Sequence, residues 1–192
     1  MENNLHSPSG LYPKLLGTSW CDLDNSVRRF HSSSGKVHAV GVFQVRCGSN
    51  RLARMVAFLA RLPTAGEAVD VRLEVTELEE GEKWYRTFAG RQLVSLQSHQ
   101  IDGLLVERIG VIEFRFRLEV VGGALSYRTV NAALRLGSWR VRLLGWLTPC
   151  ITAWERAAGE VNQIQVSVEV TSRLFGHLIA YQGMLTQIEV ER

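Results

Sequence analysis

The spacing of apolar side chains changes near residue 68, and this change constrains the fold more than any other feature of the sequence. Residues 50–62 have the helical period of 3.6, whereas apolar and polar residues alternate with a period of 2 from residue 68 onward. The alternation is cleanest over 112–120, where the four intervening residues are all Glu or Arg. Such a pattern is typical of a strand with one buried and one solvent-facing side. No segment after residue 66 reads as a crossover helix, so a parallel sheet is excluded.

About nine strands follow one another at the short spacing of an antiparallel meander. Gly122-Gly123, between two alternating runs, is the strongest hairpin signal. Residues 84–98 read as one bent strand interrupted at Gly90, and residues 149–158 as largely irregular. Because a sheet of this size twists and curls, we predict a mainly β fold of the α+β kind. It is a strongly curved antiparallel sheet, or an open or closed barrel, of about nine strands.

Helices are predicted only in the first third of the chain. Residues 11–30 are spaced for short helical turns. The clearest helix covers 50–62, with Ser49 as its N-cap and Pro63 at its end. Its apolar stripe consists of Leu52, Met55, Val56, Leu59 and Leu62. We expect this amphipathic helix to plug the concave side or one end of the sheet.

The length of 192 residues allows one substantial core. We expect a flexible tail over residues 1–9 and a single globular domain over 10–192. The first residues lack the apolar core of a signal peptide, and no apolar run approaches the roughly 20 residues that span a bilayer. Three distant cysteines without a C-x-x-C pair fit reduced thiols. The sequence therefore predicts a soluble, cytoplasmic protein without a transmembrane segment.

The charged residues argue against a nucleic-acid partner. The formal net charge is only +3, and arginines alternate with glutamates along most of the chain. Nucleic-acid binding needs positive charge clustered on one face, and no basic run supplies it. We therefore expect no nucleic-acid partner.

The motifs of common catalytic and cofactor sites are missing from the sequence. It contains no G-x-G-x-x-G, no G-x-x-x-x-G-K-[ST], no G-x-S-x-G and no H-E-x-x-H. Its five histidines are scattered without ligand spacing. We assign no catalytic residue, no metal site and no cofactor, and the sequence favours a protein that is not an enzyme.

One predicted strand carries an unusual arginine. Trp84, Arg86 and Phe88 share a strand face, so a cation lies between two aromatic side chains. If that face is buried, the guanidinium needs a carboxylate or a ligand anion. Glu107, on the next strand, is the candidate carboxylate. The group anchors a ligand head group, or it is a structural ion pair or an exposed edge arginine.

Further candidates come from aromatic and titratable residues near the ends of later strands. Trp139 and Glu155 bound an aromatic-rich segment suited to a pocket mouth. His177 alternates with apolar residues as far as Tyr181, where a histidine can act as an acid or a base. Core or lid packing is the alternative for these four residues.

Several short motifs also occur in a recognisable order. They include Leu11-Tyr12-Pro13-Lys14, Trp84-x-Arg86-x-Phe88, Leu105-x-Glu107-Arg108, Gly137-x-Trp139, Leu147-x-Pro149 with Glu155, and Leu174-x-Gly176-x-Leu178. In this order the chain resembles an uncharacterised bacterial family, number 4166 among the domains of unknown function, over nearly its whole length. The resemblance brings no established activity, and the matched site positions are Trp84, Arg86, Phe88, Glu107, Gly137, Pro149 and Glu155.

Three functions remain open at this point. The first is a non-catalytic β-rich module that binds a hydrophobic or amphiphilic small molecule between the concave sheet and helix 50–62. The second follows from the resemblance, because some such domains lie downstream of a saccharopine-dehydrogenase-like NAD(P)-binding domain. It is an accessory or substrate-handling domain for an NAD(P)-dependent oxidoreductase acting in trans. The third is a structural or interaction module without a ligand.

Overall fold

The computed structural model describes residues 10–32, 35–59 and 62–191, so the predicted tail over 1–9 lies outside the described residues. The helices are α1 (Leu11–Leu16), a 3-10 turn (Gly17–Asp22), α2 (Asn25–Ser32) and α3 (Arg51–Leu59). The strands are β1 (Lys36–Cys47), β2 (Gly66–Leu78), β3 (Gly81–Phe88), β4 (Arg91–His99), β5 (Leu105–Ile109), β6 (Ile112–Val121), β7 (Ala124–Leu136), β8 (Trp139–Arg142), β9 (Cys150–Ala157), β10 (Gln163–Ser172) and β11 (Gly176–Glu191).

Ten of the strands close into an antiparallel barrel. The order around it is β6-β5-β4-β3-β2-β1-β11-β10-β9-β7, and β6 also pairs with β7. The short strand β8 is added to the end of β7 beside β9. The mainly β, antiparallel prediction is confirmed, and the sheet is a closed barrel.

The described residues contain two more strands than the expected nine. Ala89 and Gly90 form a turn with positive φ angles, so the predicted bent strand over 84–98 is the hairpin β3–β4. Residues 150–157, which we expected to be largely irregular, form β9. This strand is hard to recognise because its side chains do not alternate between apolar and charged, although it has a partner on either side.

The inner face of the barrel holds the hydrophobic core. Alternate residues of the barrel strands point inward, and many of them are buried, as in Phe43, Leu73, Leu105, Phe116 and Leu125. The residues between them are largely charged or polar and face outward. Closure removes the free strand edges that a sheet of this size otherwise exposes.

The helices before β1 close one end of the barrel. Tyr12, Trp20, Val27 and Phe30 are buried in the core, and α1 and α2 contact β4, β6, β9 and β10. Asp24 fixes their position, because its amide donates to the carbonyl of Gly123 at 2.9 Å. We name this part, residues 11–32, the helical plug. The plug therefore comes mainly from the first helices, where helix 50–62 was predicted to supply it.

Helix α3 lies at the opposite end, where it connects β1 to β2 and contacts β11. Its position at an end agrees with the prediction. Of the predicted apolar stripe, Leu62 packs against the core beyond the end of the helix, whereas Leu52 and Met55 are exposed. Among the helix side chains that the structure describes, Ala53 is the buried one. The cause is Asn50, which accepts a hydrogen bond from the Ala53 amide at 2.6 Å and donates one to the Phe175 carbonyl at 2.8 Å. This N-cap turns Ala53 toward the barrel.

Among the described residues, no helix is both long enough and apolar enough to cross a membrane.

Candidate functional site

Strand β3 brings the predicted arginine and its aromatic neighbours to the inner face. Trp84, Arg86 and Phe88 pair with Val75, Leu73 and Val71 of β2, which are all core residues. The rings of Trp84 and Phe88 are buried. Arg86 is therefore a cation inside the barrel, as the alternation of β3 requires.

The Arg86 guanidinium has two hydrogen-bond partners on neighbouring strands. Its Nη1 donates to Ser95 Oγ at 2.8 Å and to Glu107 Oε1 at 3.1 Å. Ser95 Oγ donates to the same Glu107 oxygen at 2.6 Å. The guanidinium carbon also lies 4.7 Å from the centre of the Trp84 ring. The ion pair considered from the sequence thus exists, with a serine between its members.

Burial acts to lower the pKa of Arg86, but the nearby Glu107 carboxylate and the tyrosines raise it, and the net effect is an increase. Arg86 is therefore charged at every physiological pH.

One edge of the same guanidinium remains available. In the described part of the chain, neither Nε nor Nη2 of Arg86 makes a hydrogen bond to protein. Its side chain keeps 17% of its exposure and that of Glu107 keeps 12%, although both lie on the inner face. The Nε and Nη2 edge of a guanidinium presents two parallel N–H donors, which is the geometry that binds oxygen acceptors in a bidentate manner.

A half-buried apolar surface covers the β9–β10–β11 side of the interior. We name it the lining patch, and it consists of Ile151, Ala153, Val168, Val170 and Tyr181. Val168 pairs with Ala153 on one side and with Tyr181 on the other, and Val170 pairs with Ile151. These residues have the same inward phase as buried Ile164 and Val166, so their partial exposure is to space inside or at the mouth of the barrel.

Tyr181 joins the lining patch to the arginine. Its ring centre lies 5.3 Å from that of Phe88 and 6.0 Å from that of Phe43. Burial raises the pKa of Tyr181 to about 12, although Arg86 acts in the opposite direction. The hydroxyl is therefore neutral and able to donate a hydrogen bond at physiological pH.

A second polar network lies toward the helical plug. His31 Nε2 and Glu155 Oε2 are 2.6 Å apart, and Tyr127 donates to Glu155 Oε1 at 3.1 Å. Tyr12 donates to Gln97 Oε1 at 2.8 Å and lies 3.4 Å from the Tyr127 hydroxyl. We name this group the buried network. All of its members are buried, and burial raises the pKa of Tyr12 and of Tyr127 well above the ordinary value.

The buried network explains the environment of Glu155. Its two oxygens are bonded to His31 of the plug and Tyr127 of the barrel, so this carboxylate holds the plug in the interior. The His31 ring also lies 3.9 Å from that of Tyr12 and 5.9 Å from that of Trp84. Trp84 therefore lies between His31 and Arg86, while Gln97 of the buried network lies opposite Glu107 on the neighbouring strand.

The structure brings together five of the eight candidate residues and places a sixth next to them. Trp84, Arg86, Phe88, Glu107 and Tyr181 form one continuous site. Glu155 belongs to the buried network. Trp139 lies on β8 with 75% of its surface exposed, and His177 begins β11 beside Gly48 at the α3 end. Neither contacts Arg86 or Glu107 in the described structure.

Five members of the two networks were missed as site residues: Tyr12, His31, Ser95, Gln97 and Tyr127. Ser95 and Gln97 had a recognisable signal, because they occupy the inward phase of β4, where an apolar residue is the ordinary choice. A buried polar side chain requires a partner. Tyr12 and His31 gave no such signal, since their partners are 85 and 124 residues away in sequence.

Metal ligands do not converge in the part of the chain that the structure describes. No group of three or more His, Cys, Asp or Glu residues is arranged to hold a metal ion there. The cysteines are all free, with Cys21 and Cys150 exposed and Cys47 half-buried.

Two concavities lie mainly on the outer wall of the barrel. One of about 650 Å³ is formed around Arg72, Tyr85 and Thr87. The other, of about 290 Å³, is formed around Arg108, Glu113 and Arg140. None of the eight candidate residues lines either of them, so they are separate from the interior site.

Comparison with protein families gives one match. The model of a family described as a domain of unknown function, DUF4166, matches residues 23–185. No curated protein and no solved structure matches the chain. The matched range includes β1 to β10, most of β11 and the interior residues described above, apart from Tyr12 and Trp20.

Proposed function

The chain belongs to the DUF4166 family, and from this premise we propose that its barrel binds an amphiphilic small molecule. The polar head of the ligand accepts hydrogen bonds from Arg86, and its apolar part lies along the lining patch. The observation that carries the proposal is that Nε and Nη2 of Arg86 make no hydrogen bond to described residues, on the inner face that also carries the lining patch.

The charge of the site indicates the kind of head group. Glu107 already lies 3.1 Å from Arg86 and balances its charge. A fully charged anion brings a second negative charge beside Glu107, which is costly in a site of low dielectric. A neutral acceptor, such as an ester, amide or hydroxyl oxygen, uses the free N–H groups without that cost. We therefore expect a neutral amphiphile to bind more tightly than a carboxylate of the same chain length.

The apolar part of the ligand matches the remaining surface. The lining patch is half-buried, so a hydrocarbon chain that covers it removes apolar area from water at about 25 cal/mol per Å². The buried network has all its bonds within the protein, so it takes no part in binding. It closes the space at the plug end, and the ligand lies between it and the α3 end.

The test is displacement of N-phenyl-1-naphthylamine, a neutral fluorescent probe, by 1-monooleoylglycerol and by oleate. Wild-type protein is expected to bind the probe, and the glycerol ester is expected to displace it at lower concentration than oleate. Native mass spectrometry of protein purified from its own host should show an adduct of lipid size. A protein that binds neither probe nor ester, and that is clean by mass, overturns the proposal.

Two variants locate the site. Val168→Trp fills the space above the lining patch and should weaken probe binding about tenfold or more. Its control is Glu169→Trp, the same side chain on the exposed outward-facing neighbour, which should bind as wild type does. Arg86→Lys keeps the charge but removes the bidentate edge, so it should weaken the ester more than the probe. Equal binding by Val168→Trp and Glu169→Trp contradicts an interior site.

The other two functions, an accessory role beside an NAD(P)-dependent oxidoreductase and a module without a ligand, remain predictions.

A further inference from the structure

Every charged residue in the connections at the α3 end of the barrel is an arginine. Five segments join barrel strands there: 48–65, 89–90, 110–111, 137–149, which includes β8, and 173–175. Together they contain six arginines and neither lysine, aspartate nor glutamate. The described arginines among them are Arg51, Arg54, Arg140, Arg142 and Arg173. We name this end the arginine rim.

The opposite end has the reverse charge. Its connections, residues 79–80, 100–104, 122–123 and 158–162, contain four acidic residues and no lysine or arginine. The helical plug at that end adds three basic and two acidic residues, which leaves the end negative. The barrel is therefore electrically polarised along its axis, and an anionic surface attracts it rim first.

The arginine rim also exposes large apolar side chains. The aromatic ones are Phe58 at 74%, Trp139 at 75% and Trp146 at 49%, and they are accompanied by Leu52, Met55, Leu144 and Leu174. In soluble proteins, a cluster of exposed large apolar side chains often marks an interaction surface. Trp and Phe next to Arg are the side chains that settle at a bilayer–water interface.

These side chains lie in three segments that are adjacent around the rim. The order β2-β1-β11-β10-β9-β7 puts the segment with α3 beside 173–175, and that segment beside 137–149. The bond from Asn50 to the Phe175 carbonyl, at 2.8 Å, joins the first two directly. The apolar groups therefore occupy one arc of the mouth, above the strands that carry the lining patch.

We propose that the arginine rim docks on an anionic lipid bilayer, with Trp139, Trp146 and Phe58 in the interface. The inference rests on the proposed function, since docking in this orientation holds the lining patch next to the source or acceptor of an amphiphile. The plug end, with its acidic connections, then faces the solution. Attraction comes from the arginines and falls with salt, whereas insertion comes from the aromatic side chains and does not.

The test is co-sedimentation with vesicles of phosphatidylcholine, with and without about a quarter of phosphatidylglycerol. Wild-type protein should pellet with the anionic vesicles, less so at high salt, and not with phosphatidylcholine alone.

Trp139→Ser with Trp146→Ser should weaken vesicle binding about tenfold or more, and its control is Ile101→Ser with Val161→Ser at the plug end. Arg51→Gln with Arg142→Gln should weaken it on the order of 30-fold, and its control is Arg117→Gln with Arg128→Gln on the outer wall.

The readouts separate docking from ligand binding. Without vesicles, the Trp139→Ser/Trp146→Ser protein should bind N-phenyl-1-naphthylamine as wild type does, whereas Val168→Trp should lose the probe and still bind anionic vesicles. Failure of wild-type protein to pellet overturns the docking proposal alone. The docking proposal is also overturned if the plug-end control loses as much vesicle binding as the tryptophan variant. Self-association that depends on concentration and is abolished by the tryptophan substitutions overturns it as well, because the occupant of the rim is then a second copy of the chain.

Discussion

The two halves of the barrel interior are built differently, although the same strands run through both. Toward the plug, the polar groups of Tyr12, His31, Tyr127 and Glu155 are bonded to one another, and the apolar residues around them are sealed. Toward the arginine rim, the lining patch is half-buried and Arg86 keeps an unused edge. One half is completed by the chain itself, and the other leaves both apolar surface and hydrogen-bonding capacity for something else. Closure of a barrel therefore does not by itself fill its interior.

The largest effect is expected when a large side chain is removed from the sealed half, because this tests directly whether that half is tightly packed. Tyr12 is fully buried, and Tyr12→Ala leaves a cavity and strips Gln97 of its donor. We expect a loss of about 3–5 kcal/mol in the free energy of unfolding, measured with urea. A loss below about 1 kcal/mol contradicts a tightly filled plug end.

The contact between His31 and Glu155 in the buried network gives the next largest effect. Glu155→Gln keeps the shape of the side chain but replaces the carboxylate that lies 2.6 Å from His31 Nε2 with an amide. We expect it to cost about 1.5–3 kcal/mol in denaturant unfolding. In a double-mutant cycle with Tyr127→Phe the losses should not add, because both substitutions act on the same carboxylate. Additive losses argue against one coupled network.

The alkaline limit of stability tests the environment of Tyr181. Burial raises its pKa to about 12 in the folded protein, from 10.0, so the unfolded chain loses this proton first as the pH rises. The contribution of protonated Tyr181 to the free energy of unfolding is fully present below pH 10 and is lost between pH 10 and 12. The loss reaches about 1.4 kcal/mol by pH 11. Tyr181→Phe should lack this part of the decline. The prediction is contradicted if the free energy of unfolding falls equally for Tyr181→Phe and for wild type between pH 8 and 11.

The smallest effect is expected in the half-open part. Val170→Ala removes two methyl groups from a surface that is only half-buried. It should cost under about 1 kcal/mol, whereas Val27→Ala, at 0% exposure in the plug, should cost about 2 kcal/mol or more. The same denaturant titration checks both. Equal losses mean that the two halves are packed alike.

The sequence predicted those parts of the molecule that depend on neighbours along the chain. Alternation placed β6 within one residue, and Gly122-Gly123 marked its hairpin with β7. The shared face of Trp84, Arg86 and Phe88 followed from the same period. Contacts between distant segments left no such pattern. Alternation states which side of a strand is buried but not what covers it, so neither closure of the barrel nor the position of the plug was predictable.

Helix α3 shows why an amphipathic pattern is a weak guide to orientation. The apolar stripe containing Leu52 and Met55 was the most regular helical signal, yet these residues are exposed. The rotation of the helix is fixed by Asn50 and by the close approach of Ala53 to Gly48. An amphipathic pattern alone therefore does not determine which side of a helix faces the core.

The pairing of β1 with β11 has a consequence for how the molecule is made. Val37 of β1 lies opposite Val190 of β11. The first strand to leave the ribosome therefore cannot form all its pairs until the last strand has been synthesised. Until then the wall has a gap, and the aromatic residues of the plug, which are synthesised before any strand, have no enclosed interior to occupy. Contacts of such long range slow folding and prolong the exposure of sticky surface. The nascent chain should therefore acquire protease resistance in a single late step, after β11 has emerged.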